Sequence, residues 1–160
     1  MTTPTWSTSF SPPRLDVERL EESLERFLAA DGLSDPSPSE EVHRGYRRQR
    51  RNDALWEHFG WVFDYFIPVH MSTWLSWIEP HGYINEHVDS GPHRERWQVP
   101  IRPSGTMTVD GEELSQVAGM PFQVAHWLPH SVTVGDTPRV HLVIDRDIFV
   151  RTDKTPFVLT

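Results

Sequence analysis

A chain of 160 residues and 18.6 kDa has the length of one domain, or one domain with a short appendage, and can bury a real hydrophobic core. Its 37% apolar and 24% charged residues, with 7 Trp, 8 Phe and 3 Tyr, exclude a disordered chain, and the absence of cysteine excludes a disulfide scaffold, thiolate zinc sites, iron–sulfur clusters and a cysteine nucleophile. The net charge of −8 argues against nonspecific binding to nucleic acid or anionic membranes, and no run approaches the roughly 20 apolar residues of a membrane span.

The opening MTTPTWSTSFSPPR is polar and has no signal-peptide pattern, so a cytoplasmic protein is expected. Residues 1–13, rich in Thr, Ser and Pro, read as a flexible arm. Val17, Leu20, Leu24, Phe27 and Leu28 then recur at helical spacing, Glu22 precedes Arg26 by four, and Gly32 ends the helix. Ser34 to Glu41, with Pro36 and Pro38, reads as a loop. The run Arg47-Arg48-Gln49-Arg50-Arg51 is balanced by nearby acidic residues and reads as a solvated face rather than a nucleic-acid patch, with a helical piece following through Phe59.

From Trp61 onward the texture changes. Short β-rich runs (Ser72–Glu79, Trp97–Ile101, Thr106–Val109, Phe122–Ala125, Ser131–Val134, Val140–Ile144) alternate with the turn signals Pro80-His81-Gly82, Ser90-Gly91-Pro92, Asp110-Gly111, Ala118-Gly119 and Gly135-Asp136-Thr137-Pro138. Asp110-Gly111 is a two-residue hairpin signal. The expectation is an α+β, mainly β chain: one domain over 14–160, helical over 14–60, with a jelly-roll core over 61–150.

His87-Val88-Asp89 sets an imidazole and a carboxylate two apart, on one side of an extended segment, where both can approach one metal ion. His130, 43 residues later where a strand begins, supplies a third ligand. Two His and one carboxylate on one face of an ion leave three positions open, the facial triad of non-haem Fe(II) oxygenases. Such an ion activates O₂ with an electron source, commonly 2-oxoglutarate, whose distal carboxylate needs a forked cation. Arg139, nine residues after His130 on the next strand, can supply the fork.

These residues resemble the aspartyl/asparaginyl β-hydroxylase-like family of 2-oxoglutarate-dependent dioxygenases, over about Ser72 to Asp147. The resemblance rests on Glu79-Pro80-His81-Gly82-Tyr83-Ile84-Asn85-Glu86-His87-Val88-Asp89-Ser90-Gly91, on Arg94-Glu95-Arg96, and on Pro129-His130-Ser131-Val132 followed by Arg139-Val140-His141-Leu142-Val143-Ile144-Asp145. It implies a double-stranded β-helix in which His87, Asp89 and His130 hold iron and Arg139 takes the distal carboxylate of 2-oxoglutarate. It further implies a hydroxyl partner for that carboxylate at Ser76, an arginine near the other end of the co-substrate at Arg96, and a substrate-facing arginine at Arg94. Gln98 stands where the animal branch has a second basic residue, and Asp89 where that branch has Gly. The chain therefore resembles the bacterial branch, in which free-amino-acid hydroxylases occur.

His141 shares a strand face with Arg139 and so lines the pocket or packs in the core. His126, four before His130, has the spacing of a helical zinc pair, but Phe122–Ala125 and Pro129 favour a strand and a turn, hence a packing or supporting role. His81 and His93 read as turn and surface residues, and Trp97 as core because it faces away from Arg96. The leading reading is an Fe(II)/2-oxoglutarate hydroxylase consuming O₂, acting on a carboxylate-bearing amino acid or peptide. The alternative is a cupin-like module that binds metal or a small molecule without turnover.

Overall fold

Asp16 starts the first helix, α1 (Val17–Ala30): its side chain accepts the Arg19 N–H at 3.2 Å, satisfying one of the unpaired donors of the first turn. Gly32 ends it with φ +68°, its N–H bonded to the Leu28 carbonyl at 3.1 Å. The stripe Leu20, Leu24, Phe27 is fully buried. A second helix, α2 (Asn52–Phe63), buries Leu55, Phe59, Val62 and Phe63 against the same cluster.

The computed structural model describes residues 11–33, 43–49, 52–67, 71–89 and 94–147. Residues 1–10 of the arm expected over 1–13, the Ser34–Glu41 loop, Arg50-Arg51, the Ser90-Gly91-Pro92 turn, His93 and the end of the expected core at 148–150 lie outside the described residues.

The helices are separated by a strand, β1 (His43–Gln49), which corrects the expectation that 14–60 is helical. Pairing with a neighbour overrides local propensity here. Alternation along β1 puts Tyr46 against an apolar cluster, while Arg47 pairs with Glu79 at 2.9 Å. The remaining strands are β2 (Met71–His87), β3 (Arg94–Arg102), β4 (Thr106–Val109), β5 (Glu112–Leu114), β6 (Phe122–Val124), β7 (His130–Thr133) and β8 (Arg139–Asp147). Asp110 (φ 49°) and Gly111 (φ 79°) make the expected tight hairpin between β4 and β5.

The eight strands among the described residues form one antiparallel sheet in the order β5-β4-β7-β2-β8-β3-β6, with β1 along the other edge of β2. β2 is the hinge of this arrangement. Its first half, Met71 to Ile78, pairs with β8, and its second half, Tyr83 to His87, pairs with β7. Pro80-His81-Gly82 is therefore a kink inside one strand, not a turn between two. β2 takes five residues from Ile78 to Tyr83 where β1 takes two from Tyr46 to Arg44. His81 adopts φ 61°, and a Cβ on Gly82 would lie 2.5 Å from the Arg44 carbonyl, so glycine is required there. A smaller bulge follows between Ile84, opposite Val132, and His87, opposite His130.

The bend curls the sheet into two layers, the double-stranded β-helix of a mainly β, cupin-like jelly roll. Strand alternation gives it two interiors. On the outer face of the first layer, Leu75, Val99, Ile101, Val140, Leu142 and Ile144 pack under the helices. Inside the barrel, Ile78, Met107, Val109, Val124, Val132 and Val134 form a second cluster. No helix among the described residues is long and apolar enough to cross a membrane.

Candidate metal centre

The bulge in β2 and the register with β7 set His87 opposite His130, with ring centroids 4.2 Å apart. Asp89, just after β2, is tied to the β6–β7 turn by its backbone N–H, which donates to the His126 carbonyl at 2.9 Å. Its Oδ1 lies 3.6 Å from His87 Nε2 and its Oδ2 3.2 Å from His130 Nε2. One ligand atom from each of the three residues lies within 4.8 Å of the others. The sequence-predicted triad is thus brought together.

The tautomers of both rings follow from their partners. His87 Nδ1 is 2.8 Å from the Asn85 carbonyl, and His130 Nδ1 is 2.8 Å from the Leu128 carbonyl. A carbonyl only accepts, so each Nδ1 carries hydrogen and each Nε2 is the ring atom turned toward Asp89, the one that can bind a metal when it carries no proton. Two imidazole nitrogens and a carboxylate at this range are held together by a cation, either a proton on a ring donated to Asp89 or a metal ion in its place. Ligand distances of about 2.0–2.2 Å put neighbouring ligand atoms roughly 3 Å apart, close to what is found. These residues fit a divalent metal. Burial opposes ionisation of Asp89, but His130, His87 and Arg96 together hold its carboxyl well below the usual carboxylate range. His87 is raised by its bond to Asp89 against the burial that lowers it.

Arg96 lies beside the triad. Its Nε and Nη2 donate to the two oxygens of Asp145 at 2.7 and 2.9 Å, and its Nη1 donates to Asp89 Oδ2 at 2.6 Å. Asp145 is buried opposite it in the β3–β8 register, and the guanidinium lies over the Trp74 ring, 5.2 Å from its centroid. Asp145 belongs to the quoted motif, but nothing in its residue type singles it out.

Arg139 opens β8 on the barrel face and is 2% exposed. Its Nε and Nη2 donate to Gln116 Oε1 at 3.1 and 2.9 Å, its Nη2 also donates to Gln98 Oε1 at 3.1 Å, and Met107 Sδ is 3.6 Å away. All these partners are neutral. Burial pushes the guanidinium down to about 9, opposed in part by the Tyr46 phenol. Gln98 Oε1 also accepts from His141 Nδ1 at 2.8 Å. His141 is fully buried, its Nε2 has no hydrogen-bond partner among the described residues, and burial followed by the Arg139 charge pushes it well below its ordinary value, so it is neutral. Ser76, buried on the same face, stands opposite His141 in the β2–β8 register. Met107 links the two ends of the site: it touches Arg139, and Val109, two residues on and about 7 Å along β4, pairs with His130.

Gln116, Met107 and Tyr46 went unread in the sequence, since isolated amide, thioether and phenol side chains carry no spacing signal. Arg94 is exposed at the rim, 3.7 Å from Asp147. His126 is fully buried in the turn before β7 and acts on the site through its carbonyl, as a supporting role requires. His81 is exposed beside Asp136, and Trp97 packs under the helices.

No protein-family model matches the chain, and no curated protein sequence does. Among solved structures it is similar to a Pseudomonas putida prolyl-4-hydroxylase, with a TM-score of 0.60 and 14% identity over 86% of this chain and 90% of that one. KdgF from Halomonas sp. is similar at a TM-score of 0.49 and 11% identity, over 76% of this chain and 89% of that one. A cupin-2 domain from Rhodospirillum rubrum is similar at 0.49 and 10%, over 81% and 76%. Identities this low speak for fold alone. Fold and cluster together define a double-stranded β-helix of the jelly-roll kind with a candidate metal site.

Proposed function

We propose that this chain is an Fe(II)- and 2-oxoglutarate-dependent dioxygenase of the aspartyl/asparaginyl β-hydroxylase-like kind, one that hydroxylates an unactivated C–H bond of an amino acid or of an amino-acid residue in a peptide. The observation that carries the reading is Arg139, a buried guanidinium that no carboxylate pairs with among the described residues, on the same barrel interior as a His–Asp–His cluster. An uncompensated charge costs several kcal/mol to bury, roughly, and a ligand carboxylate removes that cost. A dicarboxylate with a metal-chelating oxo-acid end suits both groups at once.

His87, Asp89 and His130 would hold the iron, which when bound supplies O₂ activation at the expense of 2-oxoglutarate, released as succinate and CO₂. Arg139 binds and orients the distal carboxylate, with Ser76 beside it. Gln98 and Gln116 hold the guanidinium in place, and Gln98 also fixes neutral His141 against the pocket. Ile78, opposite Arg139 in the β2–β8 register, and Met107 supply the apolar wall beside the guanidinium. Arg94, at the rim, suits the carboxylate of a small-molecule or peptide substrate in the cytoplasm, and the acidic chain is not suited to nucleic acid.

The test is succinate release from 2-oxoglutarate with Fe(II) over a panel of free amino acids and peptides. Release stimulated by one class supports the hydroxylase and names the substrate. Metal binding with no succinate from any candidate leaves the non-catalytic cupin-like module instead.

A further inference from the structure

We infer that Arg96 is a positioning residue that restricts Asp89 to one metal-binding oxygen, and that Asp145 holds Arg96 in that position. The inference rests on the metal centre proposed above. The guanidinium is a rigid plane whose N–H directions are fixed relative to one another. Two of them are locked by the paired oxygens of Asp145, at 2.7 and 2.9 Å, and Asp145 is 3% exposed, so the fork cannot swing. The third then points at Asp89 Oδ2, at 2.6 Å. Trp74 stacks on the same guanidinium and limits tilt.

A carboxylate left to itself can chelate a divalent ion with both oxygens. In a six-position ion that already carries two imidazoles, chelation leaves two positions, whereas a one-oxygen carboxylate leaves three. A chelating oxo-acid and O₂ together need three. By occupying Oδ2, Arg96 keeps the third position open, and it does so before any ligand arrives.

The experiment uses the full chain and Co(II) alone, without 2-oxoglutarate, reading affinity by titration and coordination by the visible Co(II) absorption spectrum. Arg96→Ala is expected to weaken Co(II) binding about 10–100-fold and to change the spectrum, as losses of groups that hold metal ligands do. Arg96→Lys should recover only part of the affinity, since an ammonium cannot bridge both carboxylates with a fixed fork. Asp145→Asn, which touches Arg96 and not the triad, should shift affinity and spectrum in the same direction by less. Arg96→Gln serves the same purpose if the alanine variant does not fold, as judged by its unfolding midpoint. Folded Arg96 and Asp145 variants with parental Co(II) affinity and spectrum overturn the inference alone. A parent chain that binds no Co(II) overturns the metal centre and this inference together.

Discussion

The two ends of β8 each bury an arginine, and the two are treated in opposite ways. Arg146, on the helix-facing side and 6% exposed, donates from Nη1 to Glu95 at 2.8 Å and from Nε to the Phe66 carbonyl at 3.0 Å. Glu95, 2% exposed, also accepts from Trp97 Nε1. Charge meets charge, and the group ties the end of the helical layer to the sheet. Arg139, on the barrel side and 2% exposed, meets two amide oxygens and a sulfur. The first arginine is complete within the fold. The second has its fork oriented and meets no carboxylate among the described residues, as the proposed binding of a ligand carboxylate requires.

The comparison breaks most visibly in stability. Arg146→Met should cost about 3–5 kcal/mol, because it strands the buried Glu95 charge, while 2-oxoglutarate affinity stays near parental. Arg139→Met should leave the denaturation midpoint of the ligand-free chain unchanged or higher, since it removes a desolvated cation and leaves no counter-ion behind. Its 2-oxoglutarate affinity, measured anaerobically with Mn(II), should fall about 100-fold or more, the equivalent of roughly 3 kcal/mol. Equal stability losses in the two variants would erase the contrast. Ser76→Ala sharpens it less: one hydrogen bond to a charged ligand is worth about 1.5–3 kcal/mol, so 2-oxoglutarate affinity should drop by less than for Arg139. The smallest effect lies in pH. His141 stays neutral in the fold while the unfolded imidazole takes a proton below its ordinary 6.5, so the unfolded state binds more protons and stability falls as pH drops through that value. The slope is at most about 1.4 kcal/mol per pH unit, and His141→Gln should flatten the parental curve below pH 6.5 by that difference.

What could be read from the sequence divides along the same line. The inner face announced itself because its chemistry is spaced: His87, Asp89, His130 and Arg139 recur at intervals that extended strands convert into one side of a barrel. The strands of the core were legible from β-rich runs and turn pairs, and α1 from its apolar stripe. β1 was not, because arginines at 44, 47 and 48 hide the alternation that only its pairing with β2 reveals. Pro80-His81-Gly82 has the composition of a turn, and only the register with β1 and β8 tells a kink from a strand end. Arg96 was singled out, but its partner Asp145 lies 49 residues away, and no local pattern states that two such residues will meet. Gln116 and Met107 found Arg139 through the same kind of long-range closure.

The bulge before His87 is a shift of phase. Ile84 faces the barrel opposite Val132, and an unbroken two-residue rhythm would present Glu86, not His87, to His130. One extra residue inverts that parity and selects an imidazole over a carboxylate as the group that faces His130. The same irregularity leaves the Asn85 carbonyl beside His87 Nδ1, so a single slip in the ladder chooses the facing side chain and sets its Nδ1 partner. Removing Asn85 would iron the strand flat and still leave His87 facing inward, now without the carbonyl that orients it. Which side chain faces inward and what holds its ring are thus separate outputs of one backbone defect, and a one-residue deletion can uncouple them.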